Sequence, residues 1–571
     1  MASHFTDDDV KEALSIIGGA RLPHPSGPLL SSFITQSLNP RLAAQYVLKA
    51  RRSGHSQQTD LLPIVSDWSY LVEAISKYGR PPTVPDAATQ AAITKRDGAK
   101  CCITGKAGYS SDPLVVVPIL PVPSRWFEDE PRIFNMLGAF FTPSYRDWWL
   151  DYAQMPEDMS PYHNHWLVRK SAAYAFAQGF VKLDRLQPSM LEYEVKATFI
   201  GTEDTIDLDG SYPLLGDHSR LGIEKIDPRF IGTHARLSPS IRWLDIAKQI
   251  SLNRKARSSS SIDRANRSKV DPQPSQRSRF HFFSFLKTAF LAVWLMAPDR
   301  VRVVTYKMLQ RVGYRLYGKP NAHELVQRLP FGLYLKYSGD PEAFRNEFNA
   351  LKMVRQYTSV PVPRPLDLVL APTKSDDPFY SHDAYLLTSR ISGIPLARCH
   401  DMLSDEDGAE FVAQMQLYLA QIRAIPKVAS PEYAICDTRG GACRDPRIND
   451  ANPVGPFLDE AAFSQVLRNP DEPSRRGHEI VFTHGDLNSR NILVDRVVRP
   501  DGTRGWTVTG IVDWETSGYY PEYWDYTKAL FEGFRYTERW REFMHDIFKS
   551  FGDLSKEFEV EKRSWEEGDY I

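Results

Sequence analysis

The stretch FTHGDLNSRNILVD, Phe482 to Asp495, constrains this chain more than any other. It places Asp486 five positions ahead of Asn491 in a loop that leads into an apolar strand. Twenty-two residues beyond Asn491 a second apolar strand ends in an acid: GIVDWE, Gly510 to Glu515, with Asp513 directly after Ile511 and Val512. Turn chemistry would account for either acid alone. The pair suits phosphoryl transfer, which asks a protein to position a hydroxyl and neutralise charge while doing little covalent chemistry itself. Asp486 is of the type that accepts or orients the proton of an attacking hydroxyl. Asn491 and Asp513 offer hard oxygen ligands to magnesium bridging the phosphates of ATP.

A His-x-Asp-Leu-x-x-x-Asn loop followed by a metal-binding Asp resembles the protein-kinase signature. Here Gly485 replaces the arginine, and Trp514-Glu515 replaces Phe-Gly after Asp513. HGDLxxxNIL with IVDWE is similar to the aminoglycoside phosphotransferase (APH) family and its many fungal relatives. The likeness continues through GYYPEYWDYTKAL, Gly518 to Leu530, and covers the chain from about Val301 to its end. It implies an α+β architecture with a bilobal protein-kinase-like domain over 281–571. The implied cofactors are ATP and Mg2+, and the implied acceptor is a small-molecule hydroxyl.

The resemblance also asks for a strand lysine paired with a glutamate on the next helix, an arrangement that holds the α/β-phosphates. Lys336 ends the strand FGLYLK, after a hairpin through Pro-Phe-Gly. Glu347 follows in FRNEFNALKMV, a helix with Phe344, Phe348 and Leu351 on one face. No GxGxxG precedes Lys336, a departure that separates the chain from protein kinases more than from APH relatives. YLLTSRISGIPL, Tyr385 to Leu396, resembles the hinge between lobes, where backbone groups from Ser389 to Ile391 would meet adenine. By the same likeness Asp525 braces the catalytic loop from beneath, while His484 reads as a structural residue bracing the loop and not as a general base, a role Asp486 already has. Arg490 is either a phosphate contact or a solvated side chain. A noncatalytic pseudokinase acting as an interaction protein is the alternative, which the filled Asp486, Asn491 and Asp513 positions disfavour. Asp401, Asp405, Glu406 and Asp407 read as a solvated acidic turn or, alternatively, a patch for a cationic substrate. The acceptor pocket belongs to variable helices, so the substrate is not legible.

With 571 residues and 42% hydrophobic content, two or three domains are expected. Residues 1–250 read as a mixed α/β domain with helical stretches at Leu42 to Arg52 and Asp67 to Tyr78. Within it ITKRDGAKCCITG, Ile93 to Gly105, and NHWLVRKSAAYAFAQGFVKL, Asn164 to Leu183, resemble the opening and close of a fungal HNH-nuclease-like module over about 91–183. An HNH site needs a histidine as base and metal ligand and a further histidine on the closing helix. VVVPILPVP, Val115 to Pro123, contains none, and the later position falls at or near Ala173. A degenerate, noncatalytic module is therefore expected, with His163 and His165 in surface or packing roles. Adjacent Cys101 and Cys102, without a second CxxC, do not read as a zinc site.

Residues 251–280 carry eight Lys/Arg and two Asp with a serine run, a composition that reads as a tether. A basic arm for nucleic acid or nuclear import would use the same residues. FHFFSFLKTAFLAVWLMA, Phe280 to Ala297, reads as a buried or interfacial helix, with membrane-surface contact as the alternative. The total of 70 Lys+Arg against 71 Asp+Glu leaves a formal charge of −1 and no global attraction to nucleic acid, which is not an expected partner. Five sparse cysteines suit a reducing compartment, cytoplasmic or nuclear. The polar, acidic start from Met1 to Glu12 does not read as a signal peptide.

Overall fold

The computed structural model describes residues 8–52, 61–123, 130–187, 191–198, 212–255, 293–318, 326–338, 340–372, 382–448, 452–500, 502–531 and 537–566. The chain divides into two compact units, 1–253 and 254–571. No helix of the described residues is long and apolar enough to cross a membrane. Most of the tether and of the apolar stretch, 256–292, lies outside the described residues.

In the first unit, helices Ser26–Thr35, Leu62–Ile75 and Pro131–Phe141 meet around Phe33, Trp68 and Phe140. Their rings are fully buried, with Trp68 and Phe140 centroids 4.5 Å apart. Strand Leu114–Pro118 pairs antiparallel with His165–Arg169, which runs into helix Lys170–Ala177. A second ribbon joins Val181–Arg185 to Tyr193–Ala197. The Arg96–Asp97 pair is buried where these parts meet. Arg96 donates to the carbonyls of Tyr162, Glu224 and His165, and Asp97 accepts from the Leu167 amide at 2.8 Å. His165 is a packing residue, its ring 2.9 Å from the Pro161 carbonyl, and burial lowers its pKa. All five cysteines are free thiols. The tether expected from residue 251 begins later, because helix Pro228–Lys255 runs past that point with Ile246 and Ile250 buried on one face.

The second unit opens on an element that was not anticipated, helix Asp299–Tyr317. Pro298 stands at its N-cap position and makes no side-chain cap there. It packs on a four-stranded antiparallel sheet in the order Val326–Leu329, Leu333–Ser338, His382–Ser389, Pro365–Pro372. Alternation splits the sheet's side chains between two faces. Leu335, Val369, Tyr385 and Leu387 meet Val303 and Tyr306 of that helix. Ala384 and Leu386 meet Phe344 of the opposite helix, Pro341–Tyr357. Lys336, one residue from Leu335, therefore faces the helix that carries Glu347. Asp340 starts this helix by accepting the amides of Glu342 and Ala343, each at 3.1 Å, with Pro341 in the first turn.

The larger lobe contains helix Asp405–Arg423, the hairpin Ile492–Val498 with Arg504–Ile511, and a sheet ordered Cys436–Asp437, Gly518–Pro521, Ile480–Thr483. The acidic turn is only half solvated. Asp405 and Glu406 are exposed, but Asp401 and Asp407 are buried. Asp407 closes a capping box with Ser404 and pairs with Arg499 at 2.6 Å, a role that the Ser-x-x-Asp spacing carries in the sequence.

Helices Trp524–Leu530, Glu538–Phe548 and Ser555–Glu566 close the lobe. The last is tied down through His478, whose Nδ1 lies 2.7 Å from Glu460 and whose Nε2 lies 3.4 Å from Glu557. Burial alone would lower this imidazole's pKa, but the two carboxylates outweigh it and raise the value. A raised histidine stabilises most below its unfolded pKa of about 6.5, and that contribution disappears as pH climbs through the folded value. His478→Asn should thus cost about 1–3 kcal/mol at pH 6 and distinctly less at pH 9. Thermal melts at the two pH values check this, and equal costs would refute it.

Candidate active site

Strand Ile480–Thr483 delivers the chain into His484-Gly485-Asp486. The amides of His484 and Gly485 donate to the carboxylate of Asp525, at 3.1 and 2.9 Å. Burial raises the Asp525 pKa, and His484 and the two amides oppose it. The Asp486 amide donates to His484 Nδ1 at 3.2 Å, so the proton sits on Nε2, which donates to the Val512 carbonyl at 2.9 Å. Both ring nitrogens are occupied, and His484 ties the loop to the strand that leads into Asp513.

Gly485 has φ +81°, and a Cβ there would lie 2.5 Å from the Thr516 carbonyl oxygen. Gly485→Ala adds left-handed strain and a backbone clash, and should cost about 2–4 kcal/mol in chemical denaturation. A neutral result would refute the close approach.

Asp486 and Asn491 form one unit. Asn491 Nδ2 donates to the Asp486 carbonyl at 2.9 Å and to its Oδ2 at 3.0 Å, so Oδ1 is the acceptor that the Asn491 amide has left. The Asn491 carbonyl accepts the Val512 amide at 2.9 Å, which sets Asp513 beside this unit. Asp486 Oδ1 is 3.4 Å from the ammonium of Lys528.

From the sheet side, Lys336 Nζ reaches Glu347 at 2.8 Å, contacts Asp513, and lies 3.9 Å from Glu515. Glu347 is 4% exposed, whereas the side chains of Asp513 and Glu515 are half-buried, at 36% and 37% exposure. Burial works to neutralise Lys336, but Asp513, Glu347 and Glu515 outweigh it and hold it charged, its pKa raised. Burial likewise opposes ionisation of Asp513, and Lys336 reverses this to a lowered pKa. Glu347 ends raised, with burial ahead of the lysine's pull. Glu515 is pushed up to about 8, by burial and then by the charge of Asp513. One oxygen from each of Glu347, Asp513 and Glu515 lies within 4.8 Å of the others.

The structure thus brings together Lys336, Glu347 and Asp513, and separately joins Asp486 to Asn491 next to them. At the hinge the picture differs. The Ser389 amide donates to the Arg364 carbonyl at 3.0 Å and its hydroxyl accepts the Arg364 amide at 2.9 Å. That N–H is therefore not available to adenine. Ile391 follows the strand, its side chain lying where a Cβ on Gly510 would meet it at 2.7 Å.

Three residues escaped the sequence reading: Lys528, Glu515 and Asn346. Asn346 Nδ2 donates to the carbonyls of Glu515 and Ser517 at 2.9 and 2.8 Å. Its Oδ1 accepts from the amide and hydroxyl of Thr438 at 3.0 and 2.6 Å. The helix carrying Glu347 is thereby fastened to the loop after Asp513. The available signal was a polar residue beside Glu347 within the buried run of an amphipathic helix.

Residues 324–560 match the profile of the phosphotransferase enzyme family (APH). Similar solved structures include a thermostable mutant of aminoglycoside phosphotransferase APH(4)-Ia in apo form, at 12% identity and a TM-score of 0.31. That alignment covers 45% of this chain and 88% of the other. The GDP and kanamycin complex of APH(2")-IIia is similar at 14% identity and a TM-score of 0.31, over 45% of this chain and 86% of that one. A putative fructosamine-3-kinase from Haemophilus somnus is similar at 13% identity and 0.27, with the same coverages. No curated protein matches the sequence.

Proposed function

We propose that the phosphotransferase-family (APH) domain at 324–560 moves the γ-phosphoryl group of ATP to a hydroxyl of a small molecule. The observation that carries this reading is the bridge made by Lys336 between Glu347 and Asp513, beside the Asp486–Asn491 pair. Carboxylate oxygen on Asp513 and the remaining Asn491 Oδ1 are a hard-oxygen donor set of the kind magnesium takes. The carboxylates of Glu347, Asp513 and Glu515, with one oxygen of each within 4.8 Å of the others, add negative charge that also favours a bound cation. When bound, magnesium would neutralise charge on the phosphates.

The chain's own residues do the rest. Lys336, held charged and oriented by Glu347, takes phosphate oxygens. Asp486 accepts or orients the proton of the attacking hydroxyl, with Asn491 fixing its Oδ2 and Lys528 facing its Oδ1. The backbone at Ile391 contributes to the adenine pocket. A pseudokinase reading would lead one to expect a gap in this set, and none of the five positions is vacant.

For the first unit, the degenerate HNH-like reading draws support from one arrangement. The strand after the opening, Leu114–Pro118, pairs with His165–Arg169 and leads to a helix bearing Ala173 where a histidine would be needed. This unit would then act in interaction or regulation.

Nucleotide binding tests the proposal for the second unit. ATP with magnesium should raise Tm over magnesium alone, since a ligand that binds only the folded state stabilises it. No shift at millimolar ATP would favour the interaction-protein reading.

A further inference from the structure

Helix Asp299–Tyr317 presents two faces. Val303, Tyr306 and Gly313 are buried against the sheet, and a Cβ on Gly313 would meet the Arg328 carbonyl at 2.4 Å. On the opposite side Val301, Val304, Met308, Val312 and Leu316 recur every three or four residues and so form one stripe. Their exposures run from 36% to 68%. Singly exposed aliphatic residues need no explanation, but five in register along 19 residues do.

Charge is distributed along the same helix with one sign. Arg300, Lys307, Arg311 and Arg315 are exposed and, by their spacing, share one border of the stripe. The helix contains a single acid, Asp299, which is bound to Arg302 at 2.5 Å. Such a bias is local, because the whole chain is close to neutral.

We propose that this face docks on an anionic lipid surface, with the aliphatic stripe at the headgroup boundary and the four cations against acidic headgroups. An aliphatic stripe bordered by cations is what interfacial helices use. A specific protein partner would be expected to find aromatic anchors in pockets, and this stripe has none. The preceding sequence continues the theme, with eight Lys/Arg in 251–280 and then an apolar run to Ala297. The sheet stands between the stripe and Lys336, so docking would leave the proposed phosphotransfer site unobstructed.

The test is flotation of the full chain with vesicles of phosphatidylcholine alone and with 30% phosphatidylserine added, at low and physiological salt. Binding should be at least tenfold stronger to the serine-containing vesicles and weaken with salt. Val304→Asp/Met308→Asp should abolish it, and Arg311→Ser/Arg315→Ser should remove the preference for anionic lipid. Both pairs are exposed, and an unchanged Tm confirms that each variant folds. No flotation of the wild type, or equal flotation of Val304→Asp/Met308→Asp, overturns the proposal, the latter by placing the affinity elsewhere. A dimer in light scattering that the same pair dissociates would make the stripe a contact between copies and overturn it too.

Discussion

Asp486→Asn should lower turnover about a thousandfold while leaving MgATP affinity within twofold of wild type. Proton handling by a positioned carboxylate contributes roughly 10²–10⁴ to rate, and an amide of the same shape cannot accept the hydroxyl's proton. Binding survives because the proposed nucleotide contacts are made by Lys336 and Asp513, not by Asp486. The measurement is ADP release with an acceptor found by screening hydroxyl compounds, set beside the nucleotide-induced change in Tm. A second effect separates chemistry from folding. Lys528 is 9% exposed and loses the carboxylate 3.4 Å from its ammonium, so Asp486→Asn should also lower Tm. Adding Lys528→Met should restore Tm without restoring turnover. If Asp486→Asn keeps normal turnover, Asp486 is not the base.

How far the sequence carried this picture depends on what each residue needs in order to be recognised. Lys336, Glu347, Asp486, Asn491 and Asp513 were legible as candidates because fixed spacing and a bounding strand or helix announce them. The hairpin through Pro330-Phe331-Gly332 and the helix Pro341–Tyr357 were legible for the same reason, turn chemistry and apolar period. Asn346 and Lys528 were not. Their roles come from partners 92 and 42 positions away, Thr438 and Asp486, and no local pattern encodes such a meeting. The hinge is a different case. Resemblance points to Ser389, but whether its amide is free depends on the neighbouring chain at Arg364, which only the folded strand end decides. Helix Asp299–Tyr317 was hidden by its second apolar stripe, which blurs the single amphipathic face by which a helix is usually seen.

Asp513→Asn should abolish the magnesium-dependent part of nucleotide stabilisation. Asparagine is the informative replacement because Asp513 sits at φ +70°, a left-handed conformation that Asn tolerates and Ala does not. The backbone is then unperturbed, and what changes is one charged oxygen ligand. Lys336 keeps Glu347 at 2.8 Å, so the lysine remains held and charged. Glu515 loses the like charge that, after burial, contributes most to its raised pKa, and its carboxyl should titrate at lower pH than in the wild type. For a ligand at a hundred times its Kd the wild type gains about 2.7 kcal/mol, and the variant should gain less than about 1. Turnover should fall about a thousandfold, a loss of the size expected when a charge-neutralising contact is removed from a transferring phosphoryl group. Melting curves with ATP alone, magnesium alone and both together read the first effect. A full magnesium-dependent shift in Asp513→Asn would mean that the ion is held elsewhere, and the role assigned to the strand Arg504–Ile511 and its following acid would be wrong.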